Sequence, residues 1–273
     1  MLAEERALFK AINSSKDVRW PVAAGSPVAT WEKVFLLTQM QLSGSEWPNR
    51  INHRRKRELM AEKKSIFKVL NRIIRCVIDV MGLKRDAEGV RNGLELLRSL
   101  EAGVWDLEGK DILQVAGIGP KLAEKLGKAG ITTSTALARM ESWNFERVLS
   151  KKPPFGVGMM AKMKQFPILG VTATQAGRMQ EDGRMAVIKA TLCFENAEAP
   201  KWKALRVKVV FWAETKSSCT LVFFWRSVIQ KLANNKSTEL IFGANIPAGE
   251  TVSVYFSCEE IVGTMVQQSI QIT

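Results

Sequence analysis

Hydrophobic and polar residues along the first 105 positions follow the period of amphipathic helices. The stretches with this period are Glu4–Ile12, Trp31–Leu42, Glu62–Met81 and Asn92–Trp105. Pro21, Gly25 and Pro27 lie between the first two stretches and indicate a loop, because proline and glycine interrupt helices. The pattern therefore predicts a helical bundle over residues 1–105.

The strongest of these predicted helices is Glu62–Met81. Four cations fall on one narrow arc of its helical projection: Lys64, Lys68, Arg72 and Arg75. Asp79 is the only acid on that arc, and apolar residues cover much of the remaining circumference. We expect a helix that is buried over most of its surface and presents one cationic stripe.

From about residue 171 the pattern changes to the alternation of β-strands. The stretches that show it are Met185–Phe194, Lys203–Trp212, Cys219–Trp225, Glu239–Phe242, Thr251–Cys258 and Met265–Ile272. Turn signals at Asn196–Pro200 and Pro247–Gly249 separate several of them, and no helical stretch clearly crosses between them. This predicts an antiparallel β-sandwich of the immunoglobulin or fibronectin type over residues 171–273, in a multidomain α plus all-β chain.

Charge places an expected polyanion contact in the helical part. The formal net charge is +13 and the sequence pI is about 9.7. Residues 111–171 hold nine basic and four acidic side chains, whereas residues 172–273 hold 11 and nine and are nearly neutral. This balance favours nucleic acid as a partner, and a soluble basic protein without such a partner is the alternative.

The cysteine and histidine content argues against a metal site. Cys76, Cys193, Cys219 and Cys258 are far apart, and His53 is the only histidine. The spacing fits no zinc site and predicts reduced, buried thiols. No apolar run reaches membrane-spanning length and no signal peptide is evident, so we expect a soluble intracellular protein without membrane contact.

The segment Val115–Ile131, VAGIGPKLAEKLGKAGI, predicts a helix-hairpin-helix turn. Gly117 and Gly119 allow a tight hairpin, and Ile118 between them can enter the core. Pro120 suits the first turn of the second helix. Backbone N–H groups of such a turn, together with the helix dipole, can hold a phosphate.

Three lysines strengthen this prediction. Lys121, Lys125 and Lys128 share one face of the second helix, and Gly130 supplies a left-handed stop after it. The expected contacts are independent of nucleotide sequence and weakened by salt. The alternative is a plain corner between two helices.

Catalytic motifs are missing from the sequence. There is no GxxxxGKS/T phosphate loop, no acidic box beside a strand, no HExxH and no usable histidine base, so we expect no catalytic residue and no cofactor in this chain. We interpret the acidic pairs Glu4/Glu5 and Glu259/Glu260 as solvated faces. Most of the eight tryptophans are interpreted as core or groove-filling, and Phe155 as packing rather than base-stacking.

The order of these parts resembles the C-terminal Sec-homology cassette of superfamily-two helicases of the Ski and Brr type. The likeness is closest to the meiotic crossover DNA helicases of the Mer/HFM type, and it covers nearly the whole chain. The segments that carry it are ALFKAIN (Ala7–Asn13), IIRCVID (Ile73–Asp79), GLELLRSL (Gly93–Leu100), GIGPKLAEKL (Gly117–Leu126) and PPFG (Pro153–Gly156).

The resemblance implies a parent that is an ATP-dependent 3′→5′ DNA helicase of meiotic recombination in the nucleus, whose motor domains use ATP and Mg²⁺. This chain would be its accessory region, with a helical bundle (1–105), a helix-hairpin-helix subdomain (106–170) and a sandwich (171–273). The helix 62–81 would cross the motor channel and turn Lys64, Lys68, Arg72 and Arg75 toward a single strand. The implied partners are single-stranded or branched DNA, the motor domains, and a MutL-family mismatch-repair heterodimer on the sandwich.

Two other interpretations remain open. An RNA helicase cassette of the spliceosomal type has the same architecture. A pure protein-interaction scaffold would have the hairpin as a corner and would use its positive charge only for steering.

Overall fold

The computed structural model describes residues 3–23, 29–44, 53–106, 109–179, 185–196, 202 and 207–273. In its first part the helices are α1 (Ala3–Asn13), α2 (Thr30–Leu42), α3 (His53–Leu83) and α4 (Ala87–Ala102). The four predicted helices are confirmed, although α3 begins at His53 rather than Glu62 and α4 spans Ala87–Ala102 rather than Asn92–Trp105. Gly25 and Pro27 of the predicted loop lie outside the described residues.

Local sequence explains where α4 begins and ends. The Asp86 carboxylate accepts a hydrogen bond from the Gly89 N–H at 2.8 Å, which satisfies a free amide of the first turn. Gly103 ends the helix in the left-handed region, with φ of 74°. Local sequence therefore fixes both ends of α4.

The middle of the chain folds into short helices. A 3₁₀ turn at Asp111–Gln114 precedes α5 (Pro120–Lys128), α6 (Ser134–Ala138), α7 (Ser142–Leu149) and α8 (Phe155–Met163). The predicted second helix of the hairpin therefore starts at Pro120. The first helix of the hairpin is only the single 3₁₀ turn.

The tail forms two antiparallel sheets. Its strands are β1 (Leu169–Met179), β2 (Met185–Phe194), β3 (Lys208–Thr215), β4 (Leu221–Val228), β5 (Ser237–Asn245), β6 (Thr251–Cys258) and β7 (Val266–Gln271). One sheet has the order β1-β2-β5 and the other β4-β3-β6-β7, so the predicted antiparallel sandwich is confirmed. Residues 197–200 of the predicted turn and 203–206 of the predicted strand lie outside the described residues.

Two features of the sandwich differ from the prediction. Strand β1 was not predicted, because Gly170, Thr172 and Ala173 give it little of the usual apolar alternation. A short helix, α9 (Ile229–Asn235), connects β4 to β5, although no helical stretch was expected between strands. Its Ile229 and Leu232 are fully buried, so packing against the sandwich stabilises a helix too short to form alone.

The cores run across the predicted boundaries. Ile118, Leu126 and Phe145 of the middle segment belong to the same buried cluster as the interior of the sandwich. A second cluster joins Leu94 and Leu97 of α4 to β3, β4 and β6. Helix α4 thus covers the outer face of the four-stranded sheet, and the division into three regions stays a prediction.

Burial corrects two predictions about residue types. Cys258 is buried, but Cys76 and Cys219 are exposed, so the prediction of buried thiols is wrong for these two. Among the tryptophans, Trp105, Trp202 and Trp212 are buried, whereas Trp20, Trp31 and Trp143 are exposed. Trp47 lies outside the described residues.

None of the helices in the described ranges combines the length and the apolar character that a membrane span needs.

Candidate nucleic-acid interface

The hairpin Val115–Pro120 is fixed by the buried side chain of Ile118 and by the 3₁₀ turn that precedes it. Ile118 is 5% exposed and packs into the core shared with the sandwich, as predicted. Gln114 donates from its amide to the Val262 carbonyl at 2.8 Å, and Asp111 accepts from the Ser134 N–H at 2.5 Å. Burial raises the pKa of the Asp111 carboxyl, and the Ser134 hydrogen bond opposes that rise.

The upper side of the hairpin presents free backbone donors. Gly117 has φ of 97°, a conformation that favours glycine, and Gly119 precedes Pro120 as the N-cap of α5. Both glycines are exposed, and within the described residues neither amide donates a hydrogen bond. The Ile118 amide donates to Val115 at 3.0 Å, so this predicted contact residue has neither side chain nor N–H available. The two glycine amides therefore remain available as donors to an anion, beside the positive end of α5.

Lysines follow the hairpin on α5, and another lysine contacts it from α8. Lys121 and Lys125 are exposed, and in the described part of the chain neither forms an ion pair. Lys128 pairs with Glu124 at 2.7 Å, but both side chains are well exposed and such a pair is weak. Lys162 of α8 donates to the Ala116 carbonyl at 3.0 Å and lies directly beside Gly117. Sequence reasoning missed Lys162, because only the fold brings α8 to the hairpin.

The second predicted surface lies on α3. Lys64, Lys68 and Arg72 are exposed, and none of them has an ion-pair partner among the described residues. The expectation that α3 is buried over most of its circumference is wrong, because Val69, Ile73 and Val80 are 51%, 52% and 45% exposed. Helix α3 therefore presents a cationic stripe with an apolar stripe beside it.

Arg75, the fourth predicted residue of the stripe, is turned away from solvent into an ion cluster with the sandwich. Its guanidinium lies 3.2 Å from Glu101, 3.4 Å from Glu260 and 3.7 Å from Glu259. Arg226 of β4 also contacts Glu259 and lies 2.9 Å from Asp79 of α3. Arg75 is thus a residue of the helix–sandwich contact and is not free to bind DNA.

Burial overturns the interpretation of Glu5, Glu259 and Glu260 as residues of solvated faces. The side chain of Glu259 is fully buried and that of Glu260 is 8% exposed, so this pair is no solvated face. Glu5 is also buried, with 2% exposure, and lies 2.9 Å from Lys33. Glu5, Glu259 and Glu260 thus join distant elements, which a local pattern of acidic residues does not indicate, and the side chain of Glu4 lies outside the described residues.

Replacing Arg75 with alanine is expected to lower the free energy of unfolding by about 3 kcal/mol, because it leaves buried carboxylates with one cation fewer. Arg72→Ala is the matched control, since Arg72 is exposed on the same helix, and it should change stability by less than about 0.5 kcal/mol. Urea denaturation of the two variants measures the difference. Equal stability of the two would contradict the ion cluster.

Burial gives this cluster a dependence on pH. Desolvation raises the pKa of Glu260 to about 7, although the Lys208 N–H donates to it at 2.9 Å. Because the folded-state pKa lies above the ordinary value of 4.5, the stabilising contribution is complete at low pH and is lost as pH rises through about 7.

The free energy of unfolding should therefore fall by about 2–3 kcal/mol more in the unmodified chain than in Glu260→Gln between pH 5 and pH 8. Glutamine keeps an acceptor for the Lys208 N–H but does not titrate. Parallel stability curves for the two proteins would show that Glu260 titrates normally.

The two cationic surfaces share one support. Helix α3 is held to the sandwich by Arg75 and Arg226, and the hairpin is held to it by Gln114. The two surfaces are therefore fixed relative to each other through the four-stranded sheet, which contains β6. Such an arrangement can hold a nucleic-acid backbone at two places.

A family model described as the Sec63 Brl domain matches residues 2–271. The chain belongs to this family. As a Sec63 Brl domain, it is similar to the ATP-dependent DNA helicase MER3 of Saccharomyces cerevisiae, with 25% identity over 95% of this chain and 22% of the relative. It is also 23% identical to the rice protein named ATP-dependent DNA helicase MER3 homolog, over 95% of this chain and 21% of that protein. The relative from Arabidopsis thaliana, named ATP-dependent DNA helicase homolog MER3, is 26% identical over 50% of this chain and 12% of its own length.

This Sec63 Brl domain thus spans about a fifth of the length of the first of these relatives. The family match confirms the resemblance to the Sec-homology cassette of helicases.

Proposed function

We propose that this chain is a non-catalytic accessory region of an ATP-dependent 3′→5′ DNA helicase, and that its helical part holds the DNA backbone. The observation that carries the proposal is the hairpin, where Gly117 and Gly119 have free amides, Lys162 lies beside Gly117, and the exposed Lys121 and Lys125 follow on α5. The names of the relatives support DNA as the polyanion. The role in meiotic crossover formation in the nucleus is the one that the Mer/HFM resemblance implies.

The donors at the hairpin suit phosphate rather than bases. Amide N–H groups and lysine ammonium groups contact phosphate oxygens well. They do not distinguish base edges as a bidentate side chain does. Binding should therefore be independent of sequence, and both single-stranded and branched DNA would meet its requirements.

Helix α3 supports a second part of the proposal, in which the motor domains of the parent cover this helix. Its cationic stripe lies beside exposed apolar residues, including Ile73 and Val77. Apolar side chains exposed side by side are typical of a surface that another domain covers. A single strand held between that domain and α3 would contact Lys64, Lys68 and Arg72, whereas ATP and Mg²⁺ would bind in the motor.

The sandwich is the proposed surface for partner proteins, and a MutL-family mismatch-repair heterodimer is the partner implied by the resemblance. Helix α4 covers the four-stranded sheet, so the outer face of the three-stranded sheet is the accessible one. Ile241 on its edge strand β5 is 67% exposed and lies on this face.

Fluorescence anisotropy with a labelled oligothymidine strand of about 20 nucleotides tests the DNA-binding proposal. We expect binding at low salt and a linear fall of log K with the logarithm of salt concentration. No binding at low salt, or an affinity that salt does not change, would contradict it.

Two alternatives predict other results. An RNA cassette would bind a uridine strand more tightly than the thymidine strand only through contacts to the 2′-hydroxyl, since phosphate contacts alone do not distinguish the two. A scaffold would bind neither strand and would form a tight protein complex through the sandwich.

A further inference from the structure

Trp143 of α7 is an exposed aromatic ring with a cation fixed beside it. The residue is 59% exposed, and the Arg147 guanidinium lies 5.2 Å from the centre of its ring. Arg147 also donates to the Asn144 side-chain oxygen at 3.0 Å, which holds the guanidinium in place. A single guanidinium covers only one face of an indole, so the other face is available to a ligand.

The segment that follows Trp143 carries three cations, Arg147, Lys151 and Lys152. Lys151 lies 5.8 Å from the ring of Phe155, and Lys152 is exposed next to it. Of the two neighbouring acids, Glu146 accepts a hydrogen bond from the Gly156 N–H at 2.9 Å, and Glu141 is exposed before the first turn of α7. Within the described residues neither Arg147 nor the two lysines form an ion pair, so their charges are available to an anion.

The helix that carries Trp143 is rigidly held. Phe145 and Leu149, on the opposite side of α7, are 0% and 1% exposed. The hydrogen bond of Glu146 ties α7 to the start of α8. The exposed ring therefore stands on a fixed support, and a ligand that contacts it need not order the backbone first.

We propose that Trp143 and Arg147 form a base-stacking platform for single-stranded nucleic acid. An indole stacks on any base, and adjacent cations hold the backbone, which is the combination found in proteins that bind single strands without sequence preference. A duplex keeps its bases inside the stack and does not offer a free base face. This inference rests on the proposed function, since it adds a base contact to a chain that holds the backbone elsewhere.

Tryptophan and arginine also occur at the centres of protein interfaces. The observations favour nucleic acid because Arg147 lies on the ring and the exposed Lys151 and Lys152 follow the end of α7, all three without an ion pair among the described residues. A protein partner would need an acidic surface of matching size.

The test compares two strands that share phosphates but not bases. Affinities of the full 273-residue chain are measured for a thymidine strand and for an abasic strand of the same length. Trp143→Ala should weaken binding of the thymidine strand about five- to tenfold and leave the abasic strand unchanged, whereas Trp143→Phe should retain most of the affinity. Trp31→Ala is the matched control, because Trp31 is 64% exposed but lies on α2, and it should change neither.

Each other outcome separates the two proposals. If Trp143→Ala lowers both affinities equally, or lowers neither while salt-dependent binding persists, the platform is refuted and the backbone contact stands. A protein-docking role for Trp143 would give the second of these results. If the unmodified chain binds neither strand, the proposed function itself fails.

Discussion

Replacing Gly156 with alanine is expected to destabilise the chain by about 3 kcal/mol, because a methyl group at this position overlaps backbone. Gly156 ends the PPFG segment and opens the first turn of α8. A Cβ built there would collide with the Ser142 carbonyl oxygen of α7. A backbone oxygen cannot rotate away as a side chain can, so α7 and α8 would have to separate and the core around Phe145 would loosen.

Gly158 of the same helix is the matched control. It is exposed, and a Cβ there would have no atom within 4 Å. Gly158→Ala should therefore stabilise the chain by about 1 kcal/mol, since alanine is more favourable than glycine in the interior of a helix. Urea denaturation of both variants gives the two changes, and a stability of Gly156→Ala equal to that of the unmodified chain would show that α7 and α8 do not approach this closely.

Reversing the charge of the two unpaired lysines at the hairpin, Lys121→Glu with Lys125→Glu, is expected to weaken DNA binding at least about tenfold, because two phosphate contacts are lost. The glycine amides would then face two carboxylates instead of two ammonium groups. Anisotropy titration of the thymidine strand near physiological salt measures the loss.

A control with the same change in net charge separates local contact from long-range attraction. Lys216 and Lys231 are exposed on the sandwich, and in its described part neither has an ion-pair partner. Lys216→Glu with Lys231→Glu should lower the affinity far less than the hairpin variant. Equal losses would mean that net charge alone, rather than the hairpin, attracts DNA.

The hairpin could be predicted because its determinants are local. Gly117 adopts positive φ, Ile118 enters the core and Pro120 begins α5, and all three lie within four positions of one another. Strands with clear alternation were found for the same reason, and β2 and β6 have the predicted bounds. The small and polar residues of β1 gave no such signal.

What the sequence could not predict depends on contacts between distant segments. A helical period separates the faces of α3, but it does not tell which cation meets solvent and which meets Glu259 and Glu260 of the sandwich. Arg75 therefore resembled Arg72, although only Arg72 is free to contact a ligand. Lys162 was missed because 46 positions separate it from Ala116, the residue to which it donates.

The central claim is that the hairpin and the α3 stripe hold nucleic-acid phosphates, and the salt dependence of binding tests it most directly. The slope of log K against log salt concentration counts the phosphates that a protein neutralises. The slopes to compare are those of the unmodified chain and of a variant with Lys64, Lys68, Arg72, Lys121 and Lys125 all changed to glutamine. For a single strand, the slope of the variant should be shallower by about 3–4, at roughly 0.7 per lost contact. An unchanged slope would show that these five cations do not touch the backbone, and would contradict the account.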